Sequence, residues 1–381
     1  MVMTYFQIMN RFLSQFIIRD LEKKMIFLSG PRQSGKSTLS KNLIPKNSTY
    51  LNWDIGKDKK IILNNLWDKK SNLVILDELH KYNKWKNYLK GVCDEYHNSP
   101  PLLITGSAKL DTFRKSGDAL TGRYFHYRLH PIDIHESLHF FKETNAHEAA
   151  KKLISTGGFP EAFTHPKDAE RIRQDRFDLV LNEDLRDISK SNSISGLSHL
   201  IEILRDKVGS NINHESLSSD LGVSAPTVKS WLELLERLYV IFKVPPYSFR
   251  LSTALKKDSK YYFYDCAAAT DDQGARLENL AASSLLKYCH FRRDTEGKDY
   301  QLYYYRDKQK REIDFIVAER TKPIYSIEVK KAEDNFNKNL FYLKDKINPV
   351  HNLQLVLDLD RKKEKDGVLM LPLADWFSQL Y

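Results

Sequence analysis

Cysteine is scarce in this 381-residue chain. Cys93, Cys266 and Cys289 stand far apart and form no CxxC pair, which excludes a disulfide framework and a thiolate zinc site and fits a reducing, cytoplasmic setting. Long apolar runs are missing too: none approaches the ~20 residues needed to cross a bilayer, so the chain reads as soluble with no membrane partner. The first eighteen residues are interrupted by Gln7, Asn10, Arg11, Ser14 and Gln15, and no small-residue cleavage site follows. They read as an amphipathic helix instead of a signal peptide. Repeats, low-complexity tracts and heptads are absent.

What remains is ordinary globular composition, 41% hydrophobic, 29% charged and 12% aromatic, in a chain longer than one core usually serves. Two or three domains follow. The net charge of +10 admits a polyanion as partner and is equally compatible with a solvated, lysine-rich surface.

From Met25 the pattern is strand, glycine loop, helix, with further strands at TYLNWD, LVILDE and PLLITGS separated by helical stretches. That is the signature of an α/β domain with a parallel sheet, over residues 1 to about 145. Residues 146–195 read as a helical lid or connector, and 196–255 as a three-helix, helix-turn-helix module. Residues 256–381 read as a second α/β domain, with strands at KYYFYD, YQLYYYR, EIDFIVAE, IYSIEVKK and LQLVLDL.

The run Gly30-Pro31-Arg32-Gln33-Ser34-Gly35-Lys36-Ser37, followed by Thr38, matches G-x-x-x-x-G-K-[ST] between a strand and a helix. Its glycines let backbone N–H groups turn toward phosphates, Lys36 reaches the β and γ oxygens of ATP, and Ser37 ligates Mg2+. LVILDELH supplies the other half. A buried strand ending in Asp77 and Glu78 is costly unless a cation or water meets the carboxylates; Asp77 then supports the magnesium shell and Glu78 polarises the attacking water. Thr105 and Ser107 end the next strand, where Thr105 either contacts that water or caps the following element. Arg123, in a polar turn, either neutralises charge on the γ-phosphate of a neighbouring subunit, which requires a homo-oligomer, or serves as a surface ion-pair arginine.

Taken in order, GPRQSGKST, LVILDELHK, LLITGSAKL, ALTGRYFHYRLHP and GGFPEAF resemble the prokaryotic AAA-like ATP-binding proteins that carry a C-terminal domain of unknown function. The resemblance implies an ATPase, with Lys36, Ser37, Asp77, Glu78, Thr105 and Arg123 as its working residues. It also implies a winged helix followed by a fold similar to restriction endonucleases.

In the middle module, Leu217, Leu221, Val223, Val228, Trp231, Leu232 and Leu235 are spaced to pack two helices across a turn at Gly222, with Ser224 as cap and Pro226 in the first turn. Thr227, Lys229 and Ser230 then face outward, toward DNA or a protein partner. In the last domain Asp314 lies on one strand and Glu328-Val329-Lys330 on the next, with Glu278 on the preceding helix. Strand alternation puts Glu328 and Lys330 on one face, which suits either a metal-dependent nuclease site or a nuclease-like fold kept for docking. The E-x-K pattern alone is weak, since Glu22-Lys23-Lys24 also fits it.

Overall fold

The computed structural model describes residues 11–43, 46–106, 120–184, 194–248, 258–270, 272–332 and 335–381. Ser107 and the first ten residues of the expected N-terminal helix lie outside them. The chain divides into two compact units, Met1–His130 and Pro131–Tyr381.

In the first unit, α1 (Ser14–Leu21) precedes β1 (Met25–Ser29), α2 (Lys36–Asn42), β2 (Thr49–Asn52), α3 (Gly56–Leu63), β3 (Val74–Asp77), α4 (Trp85–Tyr96), β4 (Leu102–Thr105) and β5 (Tyr124–Arg128). The strands form one parallel sheet in the order β2-β3-β4-β1-β5. Continuous apolar strands such as Val74-Ile75-Leu76 suit a sheet covered on both faces, and the core on one side gathers Phe27, Leu76, Leu89, Trp85 and Ile104. Strand β5 was not foreseen, because Tyr-Phe-His-Tyr-Arg carries polar groups that mask a strand five residues long.

The second unit opens with helices α5 (Ile134–Phe140), α6 (Ala146–Thr156), α7 (Pro160–Thr164) and α8 (Ala169–Leu179). Next come α9 (Ile194–Asp206), β6 (Asn211–Ile212), α10 (His214–Leu221), α11 (Ala225–Arg237), β7 (Ile241–Val244) and β8 (Ser259–Phe263). Gly222 takes φ +65° in the turn between α10 and α11, and Ser224 Oγ accepts from the Thr227 N–H at 3.3 Å. Leu217, Val228, Trp231, Leu232 and Leu235 are buried as the spacing requires, while Leu221 and Val223 are half-buried. The KYYFYD strand, expected in the last α/β domain, instead pairs with β6 and β7 in a three-stranded sheet. Its alternation could not say which sheet it joins; the antiparallel partners Ile241–Val244 decide that.

The 24-residue helix α12 (Gln273–Glu296) leads into β9 (Tyr300–Arg306), β10 (Glu312–Glu319) and β11 (Lys322–Lys330). After them come α13 (Lys338–Ile347), β12 (His351–Val356), β13 (Lys363–Lys365), β14 (Val368–Pro372) and α14 (Leu373–Ser378). The six strands order as β13-β14-β12-β11-β10-β9, antiparallel from β9 to β11 and parallel from β11 through β12 to β14.

Candidate functional site

The end of β1 fixes the glycine loop. Gly30 takes φ +143°, and a Cβ there would meet the Leu129 carbonyl oxygen at 2.3 Å, so only glycine fits. Gln33 and Gly35 also take positive φ, 59° and 95°, curling the loop before α2 so that its N–H groups can face an anion. Pro31 and Ser34 are buried, Arg32, Gly35, Ser37 and Thr38 half-buried, and Gln33 exposed. The Lys36 ammonium is buried and donates to the carbonyls of Gly30 (2.9 Å) and Pro31 (2.6 Å), which folds it over the loop. Arg11 braces the loop from behind, donating to the Ser34 carbonyl at 3.0 Å and the His130 carbonyl at 2.7 Å. Nothing in the sequence pattern marks Arg11.

Asp77, at the end of β3, is the meeting point. Because β3 lies between β2 and β4, residues from both neighbours reach it. Its Oδ2 accepts from Ser37 Oγ at 2.7 Å and from the Tyr50 hydroxyl, and its Oδ1 accepts from the Thr105 hydroxyl. Thr105 is therefore engaged with the carboxylate itself. Burial, reinforced by Asp77, raises the Tyr50 pKa and keeps its hydroxyl a donor. Tyr50 escaped the sequence reading because a tyrosine in a short strand looks like core; its only signal is adjacency to the β3 strand.

Glu78 follows in the left-handed region, φ 58°, which swings its side chain off the line of the strand. Its N–H donates to the Thr105 carbonyl at 3.1 Å. Burial raises its pKa against the opposing pull of Lys81 and Lys36, the direction that suits a general base near neutrality. Lys81 lies 3.3 Å from Glu78 Oε2 and 2.6 Å from Asp54 Oδ2, so the carboxylate is tethered from one side. Arg123 pairs with Asp94, Nη2 to Oδ1 at 2.9 Å, on the half-exposed surface.

This donor set fits a nucleotide with a hard cation. Ser37 and Asp77 offer hydroxyl and carboxylate oxygens to one point, and Ser37, Tyr50 and Thr105 hold Asp77 through neutral hydroxyls, the hard oxygen donors that suit a divalent ion.

A second cluster occurs in the other unit, and the four residues singled out in its sequence meet there. Asp314 Oδ2 accepts from the Val329 N–H at 2.9 Å. Glu328 Oε1 accepts from Lys330 (2.8 Å) and Asn337 Nδ2 (2.6 Å), while its Oε2 is buried with no hydrogen-bond partner among the described residues. Glu278 Oε1 accepts from the Tyr262 hydroxyl at 2.7 Å. Burial, then the charges of Glu328 and Glu278, hold the Asp314 pKa well above the carboxylate range.

Lys260, which the sequence reading missed, sits among these acids. It is 2% exposed, 2.6 Å from Glu312 Oε1 and 3.5 Å from Glu278 Oε1. Burial disfavours its charge, yet Glu278, Asp314 and Glu312 outweigh that and raise its pKa. Gln354, the cross-strand neighbour of Glu328, is fully buried and accepts from the Asn337 N–H at 2.7 Å. Among the described residues no three His, Cys, Asp or Glu side chains are grouped to hold a metal ion. In the helix-turn-helix, Lys229 and Ser230 are exposed and Thr227 half-buried.

Comparison with known proteins finds matches in three successive stretches of the chain. Residues 22–138 match an AAA domain, 147–272 a domain of unknown function (DUF8612) and 273–376 a second domain of unknown function (DUF4143). An uncharacterized protein of Haemophilus influenzae is 24% identical, over 92% of this chain and 94% of its own length. One from the archaeon Methanocaldococcus jannaschii is 23% identical over 82% and 76% respectively. A solved Walker-type ATPase of Pyrococcus abyssi aligns over 69% of this chain and 95% of its own, with 17% identity and a TM-score of 0.44. No helix among the described residues is long and apolar enough to cross a membrane. The chain therefore joins an AAA domain, with its P-loop parallel sheet, to a C-terminal domain of the DUF4143 type.

Proposed function

We propose that this protein is a cytoplasmic ATP hydrolase of the AAA class that couples turnover to domain movement on a nucleic-acid partner. The observation that carries the reading is the Ser37–Asp77 hydrogen bond at 2.7 Å, with Glu78 next in the chain and Lys36 folded over the loop. In this reading residues 30–38 cradle the phosphates and Lys36 turns from the Gly30 and Pro31 carbonyls to the β and γ oxygens. Ser37 and Asp77 hold magnesium, which when bound offsets the phosphate charge. Glu78 orients and deprotonates the attacking water, and Thr105 keeps Asp77 in place beside it. Arg123 exchanges Asp94 for the γ-phosphate of a neighbouring copy, which requires a homo-oligomer. The middle and last domains are read as a winged helix and a restriction-endonuclease-like fold, supported by the α10–α11 turn with its three-stranded sheet and by the strand order around Asp314 and Glu328.

Phosphate release with and without DNA tests this for wild type, Lys36→Ala and Glu78→Gln. Turnover is expected to fall by roughly 10²–10⁴-fold in Glu78→Gln while nucleotide binding persists; equal turnover in all three ends the hydrolase reading.

A second reading, an ATP-gated metal-dependent nuclease, is favoured by the convergence of Glu278, Asp314, Glu328 and Lys330 and by the unsatisfied Glu328 oxygen. It requires magnesium-dependent cleavage that Glu328→Ala and Lys330→Ala abolish while ATP hydrolysis survives. DNA and RNA left intact under every metal condition would discard it.

A further inference from the structure

The positive charge of this protein is not shared between its units. Met1–His130 carries 22 Lys and Arg against 11 Asp and Glu, whereas Pro131–Tyr381 carries 38 against 39. Both units come from one genome, so compositional bias does not explain the segregation. The helix-turn-helix region, residues 196–255, is neutral, with six basic and six acidic residues. Phosphate affinity grows with the number of cations set against the backbone, and this module has none in excess.

Within the first unit the excess reaches one edge of the sheet. The β2–α3–α4 stretch, residues 49–96, contains nine lysines, no arginine and seven acids. Asp77 and Glu78 belong to the nucleotide site, Asp58 is buried and accepts from the Asn52 N–H at 3.0 Å, and Asp54 pairs with Lys81 and Asp94 with Arg123, which leaves Asp68 and Glu95 as the exposed acids with no ion pair among the described residues. Helices α3 and α4, which carry much of this charge, are bound into one surface beside the edge strand β2. The Tyr88 hydroxyl donates to the Ile62 carbonyl at 2.7 Å, Trp53 stacks on Tyr82 at 4.8 Å, and Trp67 meets Tyr96 at 6.4 Å. Lys59 lies over Trp53 at 5.6 Å and Lys69 over Tyr96 at 3.8 Å, so lysines flank an aromatic seam. Lys57, Lys60, Lys70, Lys84 and Lys90 are exposed and form no ion pair among the described residues.

We propose that this β2–α3–α4 edge, and not the helix-turn-helix, docks the phosphate backbone of nucleic acid. The claim rests on the nucleic-acid reading above and locates it. Lysines meet phosphates as point charges, and contacts to the backbone carry no sequence information. A membrane surface would need a continuous apolar face between the lysines. Here only Ile55, Leu63 and Leu66 are exposed, at 42%, 47% and 69%.

The test is fluorescence anisotropy of the full chain with labelled mixed-sequence DNA across a salt series. It compares wild type, the fourfold variant Lys57→Glu/Lys60→Glu/Lys84→Glu/Lys90→Glu, Lys229→Glu, and Leu63→Ser/Leu66→Ser. Calorimetry with Mg-ATP runs in parallel on each. Expected are a wild-type log–log slope of about −0.9 per phosphate neutralised, at least tenfold weaker binding and a shallower slope in the fourfold variant, and unchanged DNA binding in Lys229→Glu and in the leucine pair. Nucleotide binding is retained in all, which also certifies folding. Equal DNA binding by the fourfold variant, loss in Lys229→Glu or in the leucine pair, or no wild-type binding to DNA, each overturns the assignment while leaving the nucleotide site standing. Absence of Mg-ATP binding would instead sink the hydrolase reading.

Discussion

Two groups of carboxylates, one in each unit, are built from similar residues and held in opposite ways. At Asp77 the hydroxyls of Ser37, Tyr50 and Thr105 donate to the carboxylate, and the nearby Lys36 donates to backbone carbonyls. At Glu278, Glu312, Asp314 and Glu328, two ammonium groups, Lys260 and Lys330, already stand among the acids. Hydroxyls can turn away and leave an oxygen-lined place for a cation, whereas a buried ammonium repels one. The first arrangement is poised to receive charge from outside; the second has largely neutralised itself, with Asp314 pushed toward its protonated form.

The largest way to break this contrast is to remove Lys260. If it is the internal counter-ion, Lys260→Met leaves the half-buried Glu312 to Arg306 and Glu278 to the Tyr262 hydroxyl, and costs about 2–3 kcal/mol, below the cost of breaking a fully buried pair, read as a lower urea midpoint. Adding Glu312→Gln returns part of the loss. Lys36→Met, which gives up the hydrogen bonds to the Gly30 and Pro31 carbonyls, costs about 1–2 kcal/mol by comparison. Equal losses at the two lysines would mean that Lys260 is merely packed.

A smaller effect sharpens the same point through pH. The folded pKa of Asp314 lies above its unfolded value near 3.9. The folded state therefore binds this proton more tightly, and the stability it contributes is present below about pH 4 and is lost as pH rises through the folded pKa. Asp314→Asn is neutral throughout and keeps an oxygen for the Val329 N–H. Melting temperature measured from pH 4 to 8 is expected to decline more in wild type than in the variant. Parallel curves would show that Asp314 is ionised and well paired.

The difference between the clusters also marks how far the sequence could be read. Gly30 to Thr38, Asp77 and Glu78 stand out in the sequence because phosphate and cation chemistry asks for particular residue types at fixed spacing along one strand, loop and helix, and the fold brings Ser37 and Asp77 within hydrogen-bond distance. Residues that act from elsewhere were not. Tyr50 reaches Asp77 only because β2 lies beside β3, and Arg11 reaches the loop from before β1. Asp314, Glu328 and Glu278 could be listed in order from strand alternation, yet Lys260 belongs to KYYFYD, a strand assigned by sequence to the wrong sheet. Sheet order and partner choice are long-range facts that short periodic patterns do not encode. Helix and turn chemistry, as at Gly222 and Ser224, is local and was foreseen.

The smallest expected effect tests whether the hydroxyls around Asp77 serve the site or simply satisfy it. Ser37 can face a cation with an Oγ lone pair while its O–H still donates to Asp77 Oδ2, and Tyr50 steadies that same oxygen. Tyr50→Phe removes a hydrogen bond to a charged group, about 1.5–3 kcal/mol, part of which a water can recover at this half-exposed position. The expected outcome is a roughly tenfold rise in the magnesium concentration giving half-maximal turnover, with a modest fall in kcat and unchanged affinity for ATP in the presence of a chelator. A merely structural role would weaken chelated and magnesium-loaded nucleotide alike. That result would remove Tyr50 from the site and reduce the contrast with Lys260 to Ser37 and Thr105.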